Sequence, residues 1–282
     1  MKRILVTVPP YEEQTAIAAY LDTQCAKIDE IIAEAKASIE DYKKWKASII
    51  YEAVTKGLDP TAEMKDSGIL HKAKIPKHWS KIRVKYVSDI VGRIGFRGYT
   101  AQDFAAAGEG AITLSPSNIK DYGMSYEKCS YVSWEKYHES PEIMVKNGDI
   151  LFVKTGSSYG KSAMVEKLPS KATINPQLII FKDVDGISPK YLLYFLQSNL
   201  AKTQMEFIVT GGTIPTMSQE KMRNFALPYP PVDEQQNIVL YLDNQCNKMR
   251  ELIDEKQQLI DTLETYKKSL VYEVVTGKRK VC

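Results

Sequence analysis

The residues of this chain that could do chemistry gather in three glycine-containing loops. The first is Lys154-Thr155-Gly156-Ser157-Ser158-Tyr159-Gly160-Lys161-Ser162. It approaches the phosphate-binding pattern GxxxxGK[ST] but is one residue short, with three residues between Gly156 and Gly160. That pattern also needs a helix behind it, to aim backbone N–H groups at phosphate. Here Ala163-Met164-Val165-Glu166-Lys167-Leu168-Pro169 predicts a short strand stopped by proline. The spacing therefore argues against nucleotide hydrolysis. A flexible loop bearing Lys, Thr, Ser and Tyr still suits DNA phosphates and base edges. Lys154, Thr155, Ser157, Ser158, Tyr159 and Lys161 are the candidate contacts.

The second loop, Gly92-Arg93-Ile94-Gly95-Phe96-Arg97-Gly98-Tyr99, offers two guanidinium groups and two aromatics on a backbone that can approach a ligand closely. Arg can bind guanine O6 and N7 with two hydrogen bonds, so Arg93, Arg97 and Tyr99 join the candidates. A surface turn with solvated arginines explains the same residues. The third loop, Thr210-Gly211-Gly212-Thr213-Ile214-Pro215-Thr216-Met217-Ser218, adds Thr213. The basic stretch from Lys72 to Arg97 gives weak support for an anionic partner, because such runs are usually solvated faces. No nucleophile–base signature, metal-ligand spacing or dinucleotide fingerprint is present. Asn175-Pro176-Gln177-Leu178 does not match the Asn/Asp-Pro-Pro-Tyr/Phe motif of amino-methyltransferases. The three histidines are scattered, and the four cysteines form no CxxC pair and predict buried reduced thiols. Binding fits these residues better than a reaction, with no catalytic, cofactor or metal site.

The elements that must position these loops fall into two classes. Short apolar runs, Ala111–Leu114, Ile150–Val153 and Leu178–Phe181, predict strands punctuated by Gly, Pro, Asn and Asp. Pro189–Lys202 has helical spacing, so the middle segment predicts an α+β domain, preceded by a polar, turn-like stretch over 61–75. On either side stands one copy of a repeat. Pro9-Pro10-Tyr11-Glu12-Glu13-Gln14 returns as Pro230-Pro231-Val232-Asp233-Glu234-Gln235, and Tyr20-Leu21-Asp22 returns as Tyr241-Leu242-Asp243. Ser48-Ile49-Ile50-Tyr51-Glu52 returns as Ser269-Leu270-Val271-Tyr272-Glu273, all at one offset of 221.

Each copy predicts a long helix with a heptad seam. Cys246, Ile253, Ile260, Lys267 and Val274 form one row, and Met249, Lys256, Leu263 and Leu270 the second. The first copy keeps the register, with Lys46 interrupting its row where Lys267 interrupts the other. A proline pair and an acidic first turn start each helix, and Gly57 and Gly277 lie near the ends. A helix from Glu12 to Thr55 would be ~65 Å long and needs a partner to bury its stripe. A coiled coil serving dimerisation alone is one reading, and a spacer that fixes a distance is the other. The composition, 44% hydrophobic and 26% charged over 282 residues with a net charge of +3, is that of an ordinary globular protein. No apolar run could span a bilayer, and the expected location is cytoplasmic.

Taken in order, these segments resemble the specificity subunit of type I restriction–modification enzymes (HsdS). The doubled Pro-Pro-x-x-Glu-Gln entry with Tyr-Leu-Asp is similar to that family's helical regions. Leu58-Asp59-Pro60, Met64-Lys65-Asp66-Ser67-Gly68-Ile69 and Ile75-Pro76-Lys77-His78-Trp79 look like its entry into a target recognition domain. Gly148-Asp149-Ile150-Leu151 with Lys154-Thr155-Gly156, and Ile214-Pro215 before Phe225-Ala226-Leu227-Pro228, look like its interior and closing motifs. The resemblance implies one globular mixed α/β recognition domain over 59–229. Two helical regions, 1–58 and 230–282, flank it as an antiparallel coiled coil. It also implies a non-catalytic chain that binds double-stranded DNA. Modification subunits, which methylate adenine with S-adenosylmethionine, would dock on its helices, and an ATP-driven restriction (motor-nuclease) subunit could join.

Members of that family usually alternate two recognition domains with two helical regions, whereas here one domain stands between two helices. Met1–Val8 aligns at the same offset with the closing strand Met222–Tyr229, which suggests a half-size form. Self-association through the helices would then present two identical readers to an inverted-repeat site. A coiled-coil adaptor without DNA specificity is the alternative.

Overall fold

The computed structural model describes residues 8–70, 73–93, 98–208 and 217–281, so the strand expected at Met1–Val8 lies, except for Val8, outside the described residues. In chain order, α1 (Tyr11–Lys56) leads into a hairpin of β1 (Met64–Asp66) and β2 (Lys74–Pro76). Then come β3 (Ser80–Arg83), β4 (Asp89–Gly92), β5 (Phe104–Ala105), β6 (Ala111–Leu114), β7 (Ile119–Lys120), β8 (Gly123–Met124) and β9 (Ser130–Val132). After α2 (Trp134–His138) follow β10 (Ile150–Val153), β11 (Ser162–Met164), β12 (Ala172–Ile174) and β13 (Leu178–Lys182). The chain closes with α3 (Pro189–Gln197), α4 (Asn199–Ile208), α5 (Gln219–Arg223), β14 (Ala226–Tyr229) and α6 (Val232–Val275). The fold is mixed α/β, and it divides into two compact units, Ala47–Asn244 and the combination of Met1–Lys46 with Gln245–Cys282.

In the α/β unit, two four-stranded sheets share one core. The first has the order β11-β10-β13-β4 and is antiparallel throughout. The second has the order β12-β6-β9-β5, with β12 and β6 parallel. Alternation along the strands sends Leu151, Val153, Leu178 and Ile180 from the first sheet and Ile112, Leu114, Ala172 and Ile174 from the second into one buried cluster. The opposite face of the first sheet is also buried, through Phe152 and Phe181, whose rings meet edge to face at 6.3 Å.

Three local differences from the sequence expectation have clear causes. The polar stretch before Ile75 pairs as the hairpin β1–β2, with register Met64↔Pro76. The expected single helix over Pro189–Lys202 splits at Ser198, whose hydroxyl donates to the Phe195 carbonyl (2.6 Å) and accepts from Ala201 N (3.3 Å). That hydroxyl competes with the helix ladder and caps α4. The strand after the glycine loop begins earlier than expected, at Ser162, and ends at Met164.

The repeat motif explains how the sheets are held. Trp79, 1% exposed, donates its indole N–H to Glu234 at 2.8 Å, and His78 meets the other oxygen of that carboxylate at 2.7 Å. Gln235 accepts from the Ser188 backbone N–H (2.8 Å), and Asp243 takes both Lys190 and Tyr194, each at 2.7 Å. The Tyr191 hydroxyl lies 3.3 Å from both the Val54 and the Pro228 carbonyls. Gly57 ends α1 with φ +74°, and a Cβ there would come within 3.0 Å of the Trp79 ring. The last turns of α1 and the first turns of α6 therefore belong to this unit.

In the other unit, part of the expected apolar rows is buried. Ile28, Ile32, Ala35 and Ile39 of α1 share a cluster with Ile253, Ile260, Leu270 and Val274 of α6. The seam lysine Lys267 reaches the Asp29 carboxylate at 2.6 Å, and that hydrogen bond raises the lysine pKa. Cys25, Cys129 and Cys246 are reduced thiols, and they are half-buried rather than buried.

Replacing Glu234 with Ala strands the buried Trp79 N–H, which is expected to cost about 1–3 kcal/mol. The repeat equivalent Glu13→Ala, at an exposed site, is expected to cost under ~1 kcal/mol. Urea unfolding of both variants, with unchanged m-value, checks the difference.

Candidate nucleic-acid interface

The sheet registers bring four strand ends to one edge of the α/β unit. Val153 pairs with Leu178 and Gly92 with Ile179, so the C-terminal ends of β10 and β4 flank the start of β13. Ile174 pairs with Leu114 in parallel, so β12 and β6 end side by side. Backbone hydrogen bonds stitch the following loops together: Lys154 N to Gln177 O (2.9 Å), Asn175 N to Leu114 O (2.9 Å) and Met217 N to Lys154 O (2.9 Å).

Arg93 faces inward at this edge. It is 3% exposed and donates to the Ile174 carbonyl (3.3 Å), to Thr173 Oγ1 (3.3 Å) and to the Tyr99 hydroxyl (2.9 Å). Its guanidinium carbon lies 4.3 Å from the Tyr99 ring centre. The Tyr99 hydroxyl in turn donates to Ile174 O (2.8 Å) and accepts from Thr113 (2.8 Å). A buried guanidinium needs such a set of acceptors. This network fixes the two sheets' ends relative to each other and engages Arg93 and Tyr99 within the fold.

The loop from Lys154 to Lys161 is a hairpin connection between β10 and β11. Gly160 N donates to Val153 O (3.0 Å), Val153 N to Lys161 O (2.8 Å), and Tyr159 N to Gly156 O (3.1 Å). Gly156 takes φ +96°, which suits glycine. Ser157 and Lys161 are exposed, and Thr155 and Ser158 are half-buried. Lys161 pairs with Asp121 of the β7–β8 hairpin at 3.0 Å. Lys154 is half-buried, and desolvation lowers its pKa. Tyr159 packs edge to face on Phe152, and its hydroxyl is buried with no partner among the described residues. Burial pushes that phenol up to about 12. Arg97 and Thr213 lie outside the described residues.

Three further polar side chains stand near this edge that are not among the sequence candidates: Asp121, Asn175 and Gln177. Asn175 forms an Asx turn, its Oδ1 accepting from Gln177 N (3.0 Å), and its Nδ2 donates to Gln177 Oε1 (3.2 Å). The Asn-Pro pair was the available signal, since it favours a turn. Among the described residues no group of three or more His, Cys, Asp or Glu could hold a metal ion, and no helix is long and apolar enough to cross a membrane.

The sequence profile of the Type I restriction modification DNA specificity domain matches residues 102–262, more than half of the chain. The specificity subunit of the type I restriction enzyme MjaVIII from Methanocaldococcus jannaschii is 25% identical over 285 residues, covering 99% of this chain and 63% of that protein. The EcoBI specificity subunit from Escherichia coli is 24% identical over 247 residues, covering 83% and 50%. The chain thus spans about three-fifths or less of the length of these relatives. Among solved structures, a chain of a type I R-M system studied for complex assembly and conformational transition superposes with a TM-score of 0.68 at 18% identity, covering 95% of this chain and 60% of that one. The HsdS subunit from Thermoanaerobacter tengcongensis gives 0.54 at 18% identity, covering 97% and 60%.

Removing the unpartnered hydroxyl with Tyr159→Phe is expected to stabilise the free protein by ~1 kcal/mol at pH 7. The raised phenol pKa means that stability tied to the neutral form is intact below about pH 10, the unfolded value, and lost as pH rises through about 12. The variant's advantage should therefore widen above pH 10. Urea midpoints at pH 7 and pH 11 check both statements.

Proposed function

The chain belongs to the type I restriction modification DNA specificity family, and on that premise we propose that it is the non-catalytic sequence-reading subunit of a cytoplasmic type I system. Its recognition domain, residues 59–229, reads one half of a bipartite double-stranded DNA site. The observation that carries this reading is the convergence of the C-terminal ends of β4, β6, β10 and β12 on one edge. Ser157, Ser158 and Lys161 are the direct contacts, with Thr155 and Lys154 behind them. Arg97 and Thr213 are assigned as further DNA contacts from the sequence alone. Arg93 and Tyr99, turned inward, hold the edge in shape instead of touching a base.

The long helices of the two helical regions, 1–58 and 230–282, form an antiparallel coiled coil that sets the spacing between half-sites and docks modification subunits. The shared seam and the Asp29–Lys267 pair support that reading. So do apolar side chains left exposed at equivalent places on both helices: Ile31 with Leu252, and Trp45 with Tyr266. S-adenosylmethionine and ATP are used on the modification and restriction subunits. Two copies associating about a two-fold axis present two identical readers, so the target is an inverted repeat with a spacer.

Light scattering of the chain, alone and with its modification subunit, is expected to give two copies of each in the complex. That complex should protect two symmetric half-sites on DNA, and a 1:1 complex protecting one asymmetric half-site would overturn the two-reader arrangement. In the same assay Lys161→Ala is expected to weaken binding at all sites alike and to lower the salt slope by about one. Absence of salt-dependent DNA binding would favour a coiled-coil adaptor.

A further inference from the structure

The amide turn at Asn175–Gln177 is the part of the loop edge that the reading above leaves unused. Lysine and serine at the edge suit phosphates but discriminate poorly between bases. A side-chain amide differs, because its donor and acceptor lie in one plane and match adenine N7 and N6 in the major groove.

Gln177 is exposed, yet it is held in place. Its backbone N–H is bound by Asn175 Oδ1 (3.0 Å), and its carbonyl accepts from Lys154 N (2.9 Å). Pro176 fixes φ between the two amides. Its side-chain Oε1 accepts from Asn175 Nδ2 (3.2 Å). The neighbouring loop leaves room for this arrangement, since a Cβ on Gly156 would lie 3.3 Å from Gln177 Nε2. After these bonds the Gln177 amide retains the Nε2 hydrogens and one Oε1 lone pair. A long exposed side chain normally pays rotamer entropy on binding, and this one has surrendered much of it in advance.

We infer that Gln177 is a specificity-determining residue that reads an adenine of the target in the major groove. Asn175 acts as its positioning residue. The inference rests on the DNA-reading function proposed above and narrows it to one base.

The test selects duplexes from a randomised pool with the full chain in complex with its modification subunit. The wild type should return a consensus containing adenine at a position lost in Gln177→Ala. Discrimination there should fall about 5- to 150-fold, with other positions and the salt slope unchanged. Gln177→Glu keeps the shape but only accepts, so the preference at that position should move from adenine to cytosine. Asn175→Asp keeps the turn acceptor and removes the bond to Gln177, so it should weaken the same position alone. Thermal midpoints equal to wild type confirm that Gln177→Ala and Gln177→Glu are folded. An unchanged consensus in both Gln177 variants, or a uniform loss at all positions, would overturn the assignment and leave the DNA-reading function standing. A wild-type complex that selects no sequence would overturn both.

Discussion

The carboxylate of Glu234 sits where the two structural classes of this chain meet. It accepts from the buried indole of Trp79 and from His78, one oxygen each. A Trp this deeply buried must find an acceptor for its N–H. The first turn of α6 supplies it and adds Gln235 for the Ser188 backbone, and further along the helix Asp243 takes Lys190 and Tyr194. Each contact joins residues far apart in sequence, so helix and sheets are ordered together. The placement of α3 beside β11, and hence of the sheet carrying the loop edge, follows from this clamp.

At the far end of the strands the balance of forces reverses. Arg93 carries a permanent charge into the fold, and its cost is met by the Ile174 carbonyl, Thr173 and the Tyr99 hydroxyl and ring. That arrangement gives a rigid floor on which exposed loops can differ in sequence without loss of the core. Ser157 and Lys161 are exposed at this edge, while the Tyr159 hydroxyl is buried without a partner among the described residues. Rigid strands that carry polar loops suit recognition, because little ordering remains to be done on binding.

Much of this was legible in the sequence, and the failures are as physical as the successes. Ile150–Val153 and Ala111–Leu114 were readable as strands because continuous apolar runs between turn residues mark strands buried on both faces. The long helices were readable because the repeat doubled a weak periodic signal. The direction of Arg93 was not readable. A glycine-flanked arginine looks the same whether it faces solvent or the Ile174 carbonyl and Thr173 hydroxyl brought from a distant strand. Nor was the break at Ser198, where one hydroxyl outweighs an otherwise continuous helical pattern. The amide turn at Asn175 is hidden in the sequence for a related reason. Its letters border on a catalytic motif, while its meaning lies in turn geometry and in the Gly156 loop beside it.

The repeat itself separates what a motif guarantees from what it permits. Both copies form the same local bond, Gln14 Nε2 to Pro9 O at 2.8 Å and Gln235 Nε2 to Pro230 O at 2.9 Å. Both start a helix at the same place, because proline pair, acidic turn and glutamine act within a few residues. The next layer differs. Glu234 and Asp243 bind Trp79, Lys190 and Tyr194, whereas Glu13 and Asp22, their equivalents, are exposed. Identical letters at identical spacing thus carry one obligation, the helix start, and one option, the clamp. The option is exercised only where a buried donor such as the Trp79 indole is brought to the carboxylate. A sequence pattern can establish the first without evidence for the second, so the anchoring role of this motif belongs to the three-dimensional contact and not to the motif alone.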